Sequence, residues 1–469
     1  MIELINTKKG LLTLIIFNLI LGVMVKYASN IVGLAYGGLF VLFLYDVIKT
    51  RDRDSRAGFY CLYMMGMEMV YRMVNAPIGW ESGKYFSILI LIVGMLAGRR
   101  NFTSWTFVLL LVLLIPSLIL AENPDPVRLR KDIMFSLSGP LSLVFSGLYF
   151  YGRPINEDSF VNQLKFSFLP AITTCVALSL VSVISDIQYT SLQSNAHAAG
   201  GIPTNQASTM LGWFILLGLL LKLNRNKITP YEWLDWFILF YLFLRALLTF
   251  SRGGVMGAML SIAGSVAVLY FSSHQFRLQI KKFVPYIFLG IAFLVGVFFI
   301  ANQITNGMLL YRYRGISTAE MKAGIEKHEG SMLTGRNVIM DVEMQAFKDN
   351  PFWGLGAGMG ASYREAYFGH RMNAHTEYTR LLSEHGTFGV LFILIGMIIL
   401  PLSHFFKEKG MIARYFFIAF LLISMFTMFH AAMRMALPGI AFGASFAHII
   451  SKPKEKTNTS EVSGESNNK

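Results

Sequence analysis

The sequence predicts an all-α polytopic membrane protein, with about 12–14 transmembrane helices and one large, mostly helical loop between two of them. Of its 469 residues, 54% are hydrophobic and only 14% are charged, whereas a soluble domain has about 25% charged residues. Apolar runs of roughly 18 or more residues follow one another, and each is long enough to cross about 30 Å of hydrocarbon. No internal repeat at a fixed period is evident in the sequence.

The predicted spans follow one another along the chain and are mostly separated by short polar loops. They run over 10–26, 31–48, 57–75, 84–98, 103–121, 133–151, 166–185, 207–222, 233–250, 254–272, 284–302, 387–404, 412–430 and 435–450. No small-residue cleavage site follows the first apolar run, so we expect it to be retained as a span. Cys61 and Cys175 both fall within apolar segments, which predicts neither a disulfide framework nor a metal-ligand cluster.

Lys and Arg residues are concentrated in alternate loops, which is the positive-inside pattern. The basic loops contain Lys8, Lys9, Lys49, Arg51, Arg53, Arg56, Arg99, Arg100, Arg153, Lys165, Lys222, Arg225, Lys227, Arg277, Lys281, Lys282, Lys407, Lys409, Arg414, Lys452, Lys454 and Lys456. Apart from Arg128, Arg130 and Lys131, the opposite short loops are poorer in Lys and Arg. We therefore expect both termini in the cytoplasm. Since the net charge of +14 follows this topology, nucleic acid is not predicted as a partner.

This pattern divides the chain into four parts. Residues 1–302 are predicted to form an N-terminal transmembrane bundle, and residues 303–386 a large loop on the outer side of the membrane that carries the candidate catalytic motif. Residues 387–450 are predicted as the C-terminal transmembrane helices. The polar segment 451–469 has the composition of a disordered cytoplasmic tail.

The large loop contains a predicted helix in the stretch TGRNVIMDVEMQAFKDNP, with Thr334 as its N-cap and Asn350–Pro351 as its end. Arg336 lies in the first turn, where a cation opposes the helix dipole by about 0.3–1 kcal/mol. A helix N-terminus with an arginine suits a phosphate anion, although pairing of Arg336 with a nearby acid is an equal alternative. The following segment, Gly354–Gly360, lacks the strand and the GK[ST] sequence of a nucleotide-binding loop, and we interpret it as a tight turn.

The stretch NAHTEYTRLLSEHGTFG precedes an apolar run and contains the candidate residue His375. A helix over 374–385 places His375 on the face that packs toward the bundle, together with Tyr378, Leu382 and Gly386. The opposite face, predicted to meet water, carries Glu377, Arg380 and Glu384. An inward histidine is either a working residue or a hydrogen-bonded core residue. Gly386 is predicted as the helix C-terminus and Gly389 as a site of close helix approach.

Other polar residues lie inside the predicted spans or where a span begins. Glu68 and Arg72 are four residues apart and are predicted to neutralise each other or to serve a function. Arg252 lies in SRGG at the outer turn between two spans, where it either snorkels to the interface or binds a ligand. The segment AAGGIPTNQAS, which contains Asn205 and Gln206, is either a re-entrant lining of a cavity or an ordinary turn.

Four of these features converge on the outer membrane–water boundary: Arg252, Arg336, His375 and the Asn205–Gln206 segment. Arginine binds phosphate oxygens in a bidentate manner, and histidine accepts a proton from a hydroxyl group. The combination predicts a substrate with a lipid-linked phosphate and a polar head.

With these motifs, the sequence resembles the O-antigen ligase and O-antigen polymerase superfamily of bacterial envelope glycosyltransferases. His375, Thr376, Gly386 and Gly389 fit the histidine pattern of the ligases, and SRGG at 251–254 resembles their arginine motif. TGR…NPFWGLGAG resembles the loop signature of the family, and GGIPTNQAS its Asn-Gln loop. The resemblance covers roughly residues 190–390.

The resemblance implies a GT-C-like multi-pass protein of the bacterial inner membrane, with the large loop in the periplasm. Such enzymes take a glycan from undecaprenyl diphosphate and transfer it with inversion, without a metal, nucleotide sugar or other cofactor. Ligases pass the glycan to a sugar hydroxyl of lipid A-core, and polymerases pass it to another carrier-linked repeat. The implied partners are the carrier-linked glycan donor, the lipid A-core acceptor and membrane lipids, for a role in lipopolysaccharide biosynthesis.

The resemblance also implies roles for individual residues. His375 is the expected general base toward the acceptor hydroxyl, while Arg252 and Arg336 hold the leaving diphosphate and stabilise its charge. Arg72 is a further candidate for the same anion, and Asn205–Gln206 for substrate binding.

Two alternatives to a ligase stay open. One is a polysaccharide polymerase of the same superfamily, which uses the same donor but another acceptor. The other is a transporter for a lipid-linked sugar, which needs ionisable residues at mid-depth in several spans. The sequence offers few of these beyond Glu68, Arg72 and Arg245.

Overall fold

The computed structural model describes residues 2–75, 79–98, 104–272, 274–316, 318–322 and 336–450. The predicted N-cap Thr334 and the predicted tail 451–469 lie outside these residues. The first helices are α1 (Lys8–Tyr27), α2 (Ser29–Thr50), α3 (Arg56–Met73), α4 (Ser82–Ala97), α5 (Trp105–Leu113), α6 (Ile115–Ile119), α7 (Pro126–Phe150), α8 (Glu157–Val181), α9 (Thr204–Leu223) and α10 (Glu232–Leu248).

The second half is also helical. It contains α11 (Gly253–Ser272), α12 (His274–Ile304), α13 (Met308–Tyr313), α14 (Thr318–Lys322), α15 (Arg336–Asp349), α16 (Gly360–Phe368), α17 (Glu377–Leu391), a π-helical segment Phe392–Ile399, α18 (Leu400–Lys407), α19 (Met411–Ala431) and α20 (Leu437–Ser445). Short 3₁₀ turns cover Ile2–Asn6, Arg53–Ser55 and Ile184–Asp186, and two short strands, β1 (Pro154–Asn156) and β2 (His448–Ile450), pair in parallel.

The protein is an all-α polytopic membrane protein, as predicted. In the described part of the chain, eight helices are long and apolar enough to cross a membrane: α1, α2, α7, α8, α9, α11, the continuous Glu377–Lys407 segment and α19. Three shorter apolar helices cover Ser82–Ala97, Trp105–Ile119 and Gly290–Ile304. Each of the fourteen predicted spans overlaps a helix, but three of these helices, α3, α10 and α20, are not among the eleven long or shorter apolar helices just named. Most of the large loop that the structure describes is helical too.

Small residues allow several of these helices to touch backbone to backbone. A Cβ at Gly254 of α11 would lie 1.6 Å from the Ser208 carbonyl oxygen of α9, and a Cβ at Gly212 would lie 2.3 Å from the Gly254 oxygen. Close approach through small residues is the usual way in which membrane helices pack, because lipid offers no hydrophobic driving force between them. The contact fixes the start of α11, where the SRGG motif lies.

The long helix α7 runs between two polar ends of the bundle. At one end, which we call the strand end, Arg153 Nη1 donates to Asp52 Oδ2 at 2.5 Å beside the β1–β2 pair. At the other, which we call the motif end, α7 contributes Asp132 and Ser136 to the region that holds the predicted site residues. The candidate site is therefore confined to one end of the bundle.

Candidate functional site

The SRGG motif forms the junction between α10 and α11. Ser208 Oγ donates to the Ser251 carbonyl oxygen at 2.7 Å and accepts from the Gly254 amide at 2.9 Å. A Cβ at Gly253 would lie 2.1 Å from the imidazole of His430, near the end of α19. The first glycine is thus required because His430 packs flat against the backbone at this point.

His430 links this junction to the large loop. Arg336 Nη1 lies 3.0 Å from His430 Nδ1 and 3.2 Å from the His430 carbonyl oxygen, and Ser251 Oγ lies 3.3 Å from Nε2. A guanidinium only donates hydrogen bonds, so Nδ1 accepts and the ring proton sits on Nε2. The predicted anion-binding residue Arg336 is therefore oriented by a histidine rather than paired with an acid among the described residues.

Four arginines gather around this point: Arg252, Arg312, Arg336 and Arg434. Arg252 Nη1 donates to the Arg312 carbonyl oxygen, and Arg312 Nε donates to the Phe250 carbonyl oxygen, both at 3.2 Å. Burial, followed by the charges of Arg252 and Arg336, lowers the pKa of Arg312 to about 10. Burial likewise lowers the pKa of Arg252 and, together with Arg252, that of Arg336. We call these four residues the arginine cluster.

Three of the four arginines bind uncharged groups within the described ranges: Arg312, Arg336 and Arg434. Within the described ranges, none of the salt bridges involves Arg312, Arg336 or Arg434. Arg434 instead donates to the carbonyl oxygen of Ala374, and burial followed by neighbouring arginines lowers its pKa to about 10. Three cations held this close together, none of them in a salt bridge within the described ranges, favour the binding of an anion.

His375 lies next to this cluster. It is half-buried, and burial followed by the charges of Arg434, Arg336 and Arg364 lowers its pKa to about 3. Its Nδ1 has no hydrogen-bond partner among the residues that the structure describes. The imidazole is therefore neutral near pH 7 and has a free nitrogen.

The predicted helical phase of His375 is wrong. The helix was expected over 374–385, whereas α17 begins at Glu377 and His375 precedes it. Thr376 is the N-cap, and its Oγ1 accepts from the Tyr378 amide at 3.1 Å. A side-chain oxygen at this position ends the extended backbone and starts the helix, which is a common role for threonine.

The prediction that the charged face of this helix meets water is also wrong. Glu377, Arg380 and Glu384 are only 0%, 6% and 2% exposed. Arg380 pairs with Glu377, and Glu377 Oε2 accepts from the Met433 amide at 2.9 Å. Glu384 accepts hydrogen bonds from Ser136 Oγ and the Gly358 amide. Other segments of the chain cover this face, so its charges serve internal contacts.

The two glycines of the histidine motif lie where α17 bends. Gly386 has φ +56° and ψ −133°, which interrupts the helix as predicted, and a Cβ there would lie 2.5 Å from the Gly354 amide nitrogen. Leu355 N donates to the Ser383 carbonyl oxygen at 2.9 Å. A Cβ at Gly389 would lie 2.1 Å from the Leu381 oxygen, so the close approach here is within the bent segment itself. The glycine-rich turn at 354–360 therefore packs directly against the bend in α17.

Arg72 supports the site from behind. Its Nη2 donates to Glu68 Oε1 at 2.6 Å and to the Arg434 carbonyl oxygen at 2.9 Å, and its Nη1 donates to Gln206 Oε1 at 2.7 Å. The predicted Glu68–Arg72 pair is confirmed, and both side chains are fully buried. The other carboxylate oxygen of Glu68 accepts from the Ala436 amide at 2.7 Å. Arg72 and Gln206 therefore hold the α19–α20 connection that carries Arg434.

That connection is strained. Ala432 has φ +52° and ψ −167°, a backbone region that few residues other than glycine adopt. The buried carboxylates of Glu68 and Glu377 bind amides on the α19–α20 connection. Such strain persists only where surrounding contacts over-determine the backbone, and here the contacts present Arg434 to the site.

The predicted Asn-Gln segment leads directly into α9. Thr204 begins the helix, and Asn205 and Gln206 lie in its buried first turn, as in an ordinary loop-to-helix turn. Asn205 Nδ2 has no hydrogen-bond partner among the described residues. Gln206 contacts Arg72, which in turn donates to the carbonyl oxygen of Arg434 in the arginine cluster.

A cleft opens to solvent beside the arginine cluster; the space between its walls and in its mouth amounts to about 430 Å³, of which about 20 Å³ is interior space that water can occupy. It is lined by Asp132, Phe135, Ser136, Gly358, Ala361, Arg364, Arg371, Asn373, Ala374, Glu377, Arg380, Glu384, Ala432, Met433 and Arg434. Behind it, Arg364 Nη1 donates to Glu343 Oε1 at 2.5 Å. Burial raises the pKa of Glu343 to about 7, although the neighbouring Arg364 lowers it.

Sequence reasoning did not select Arg312, Arg434, His430 or Glu343 as site residues. Arg312 lies in YRYRG shortly after a predicted span, and Arg434 at a junction between spans, so both are signalled by charge at a membrane boundary. His430 and Glu343 lie within helices and carry no local sequence signal. Their roles follow from contacts with distant parts of the chain.

The family model described as O-Antigen ligase (Wzy_C) matches residues 237–394. No match was found among the curated proteins or the solved structures. The matched segment contains Arg252, Arg312, Arg336 and His375, and it confirms the resemblance seen in the motifs. Together with the apolar helices, the match implies a membrane protein similar over these residues to the O-antigen ligase or polymerase type.

Proposed function

We propose that the protein is an inverting, metal-independent glycosyltransferase that moves a glycan from undecaprenyl diphosphate to a sugar hydroxyl of lipid A-core. The reaction takes place at the motif end, on the periplasmic face of the inner membrane. The proposal rests on the arginine cluster around a neutral, half-buried histidine; that histidine and every arginine of the cluster except Arg434 lie in the segment that matches the O-antigen ligase model.

The arginine cluster suits the diphosphate of the donor. Guanidinium groups match phosphate oxygens in a fork geometry and remain charged even where burial lowers their pKa. In the free protein, Arg312 and Arg336 lie close enough to Arg252 for their charges to oppose one another. A diphosphate relieves this repulsion, and that gain favours donor binding.

The same residues suit the transition state. The acceptor oxygen attacks the anomeric carbon from the face opposite the diphosphate, and the carbon–oxygen bond to the carrier breaks. The electron pair of that bond leaves with the diphosphate, where Arg252 and Arg336 stabilise the added charge. The proton of the attacking hydroxyl passes to the neutral imidazole of His375.

Donor binding also changes His375. Its pKa is about 3 because of burial first and because of Arg434, Arg336 and Arg364 next. A bound diphosphate cancels much of the effect of these charges, so the pKa of His375 rises toward its ordinary value. His375 then becomes a stronger base only when the donor is in place.

The test is transfer by purified protein in proteoliposomes, with undecaprenyl-diphosphate-linked glycan and lipid A-core. We expect His375→Ala and Arg252→Ala each to lower the rate about 10²- to 10³-fold, because each removes a group that acts in the transition state. Arg53→Ala is the control, since Arg53 is 70% exposed and lies far from the motif end. Transfer at the wild-type rate by His375→Ala would refute the base assignment.

The acceptor distinguishes a ligase from a polymerase. The lipopolysaccharide of a deletion strain should lack every capped form of lipid A-core for a ligase. A single capped repeat would instead indicate a polymerase, with the same donor site and a carrier-linked acceptor.

The buried charges do not favour a transporter. Arg245 of α10 donates to the Ser182 carbonyl oxygen and hydroxyl and to the Ala198 carbonyl oxygen, at 2.6–2.8 Å. Glu68 and Arg72 neutralise each other. These groups are fixed by structural contacts, whereas transport needs groups that exchange partners along a path.

A further inference from the structure

We propose that the cleft beside the arginine cluster binds the hydroxyl-rich sugars of the acceptor, separately from the donor diphosphate. This inference rests on the proposed function. It concerns a cleft to which the family motifs assign no role. The cleft lies on the side of α7, α16 and α17, while the arginine cluster lies toward α11, α13 and α15.

Most cations that line the cleft form salt bridges, whereas Arg312 and Arg336 of the arginine cluster form none within the described ranges. Arg371 pairs with Asp132, and Arg380 pairs with Glu377. Arg364 pairs with Glu343 at 2.5 Å. Because three of the four cations of the cleft already pair with an acid, and only Arg434 does not among the described residues, a diphosphate gains less here than in the arginine cluster. A sugar hydroxyl both donates and accepts hydrogen bonds, so it suits a surface in which carboxylates and guanidiniums alternate.

Two buried polar atoms on the cleft residues lack hydrogen bonds. Asp132 is 3% exposed, and its Oδ2 has no hydrogen-bond partner among the described residues; Arg128 Nε lies 3.9 Å away, beyond hydrogen-bond distance. Arg380 Nε is also buried without a partner in that part of the chain. Both residues line the cleft, so an acceptor and a donor are left unsatisfied in its walls, and a small shift of either side chain would offer them to a ligand that supplies both kinds of group.

The glycine-rich turn at 354–360 forms part of the cleft wall through Gly358. Gly358 has φ +81°, its amide donates to Glu384 Oε2 at 3.1 Å, and a Cβ there would lie 2.6 Å from the Asp132 backbone. The turn therefore brings its backbone directly against α7. This assigns a role to the glycine segment, namely to form one wall of the acceptor site.

The cleft joins the arginine cluster at Arg434. This residue lines the cleft, and its guanidinium donates to the carbonyl oxygen of Ala374, the residue before His375. A sugar held in the cleft can therefore place a hydroxyl group beside His375, while the donor diphosphate occupies the arginine cluster. The two substrates meet across the Ala374–His375 segment.

The first test separates the two substrates kinetically. We expect Asp132→Asn and Arg371→Gln each to raise the KM for lipid A-core about tenfold, because each removes hydrogen bonds to acceptor hydroxyl groups. The KM for the donor should change little, because neither residue is proposed to bind the diphosphate. Arg371→Gln is the milder variant, since the Arg371 side chain is 44% exposed. Arg130→Gln is the control, because Arg130 is exposed on the same helix as Asp132 and lies outside the cleft. A rise in the donor KM instead would overturn the assignment.

The second test does not depend on transfer. Soluble core oligosaccharide and inorganic pyrophosphate are titrated separately into the purified protein by calorimetry. Asp132→Asn and Arg371→Gln should weaken oligosaccharide binding about tenfold and leave pyrophosphate binding intact, whereas Arg252→Ala should do the reverse. Unchanged oligosaccharide affinity in both cleft variants would refute the acceptor site. Wild-type protein that binds the oligosaccharide but transfers no glycan would refute the proposed function and support the cleft.

Discussion

The strand end of the bundle and the arginine cluster at the motif end differ in how their cations are paired. At the strand end, Arg153 is paired with Asp52, and Arg56 donates to Asp46 and Glu3 at 2.9 Å. At the motif end, Arg312 and Arg336 have no salt bridge in the described part of the chain, and their charges oppose that of Arg252.

The difference distinguishes cations that stabilise the fold from cations that are proposed to bind a ligand. A buried ion pair is complete in the free protein, so removing one partner leaves the other uncompensated. A group of like charges is incomplete and becomes favourable only when an anion binds. The protein thus keeps the costly arrangement where a diphosphate is proposed to bind and neutralises cations elsewhere.

The largest expected effect comes from removing one arginine at each end. Arg153→Met should lower the free energy of unfolding by about 3–5 kcal/mol, because it leaves Asp52 buried and unpaired. Arg336→Met should leave that free energy unchanged or raise it, because it relieves repulsion with Arg252 and Arg312. Thermal unfolding of both variants in detergent checks the contrast, and equal losses of stability at the two ends would remove the basis for it.

The contrast was only partly predictable from sequence. Local spacing predicted the Glu68–Arg72 pair, and the helix break at Gly386 followed from a glycine at the end of a periodic stretch. Single arginines at membrane boundaries were recognisable as candidates, and Arg252 and Arg336 do lie together. Charges inside or beside apolar spans are rare, so each one carries information.

The rest depended on contacts between distant segments. The charged face of α17 was assigned to water because the sequence does not show that α15, α16 and the glycine-rich turn cover it. Similarly, the contacts of Arg364 with Glu343 and of Arg336 with His430 join residues 21 and 94 positions apart. Helical periodicity predicts which residues share a face but not what lies against that face.

A smaller effect on activity is expected from substitutions of His430. They test whether Arg336 must be held in one orientation by His430 or contributes only its positive charge. His430→Ala removes the acceptor of the Arg336 hydrogen bond and should lower kcat about 10- to 100-fold through misplacement of the guanidinium. His430→Asn keeps an acceptor oxygen near the position of Nδ1 and should recover much of the loss. His404→Asn, on α18 beside Tyr151 and Phe446, is the matched control. Equal losses in the Ala and Asn variants of His430 would mean that Nδ1 does not orient Arg336.

The last prediction concerns the pH dependence of stability, which we expect to depend on Glu343 behind the cleft. The pKa of Glu343 is raised from 4.5 to about 7 in the folded protein, chiefly by burial. Between these values the folded protein binds a proton that the unfolded chain has lost, so the free energy of unfolding falls as pH rises through this window. The slope from this group is at most about 1.4 kcal/mol per pH unit and vanishes above about pH 7. Glu343→Gln should flatten the unfolding profile between pH 5 and 7, and an unchanged slope would contradict the raised pKa.

The same titration changes the charge balance of the cleft. Protonation of Glu343 removes the acid that pairs with Arg364, so the cleft becomes more cationic at pH 5 and resembles the arginine cluster. Wild-type protein should therefore bind a second pyrophosphate weakly at pH 5 but not at pH 8, and Arg364→Gln should abolish only that second site. One site at both pH values would show that the Glu343 charge does not control the ligand preference of the cleft. A second site that appears only at pH 5 would show that the ligand preference of the cleft depends on the charge of one buried carboxylate, that of Glu343.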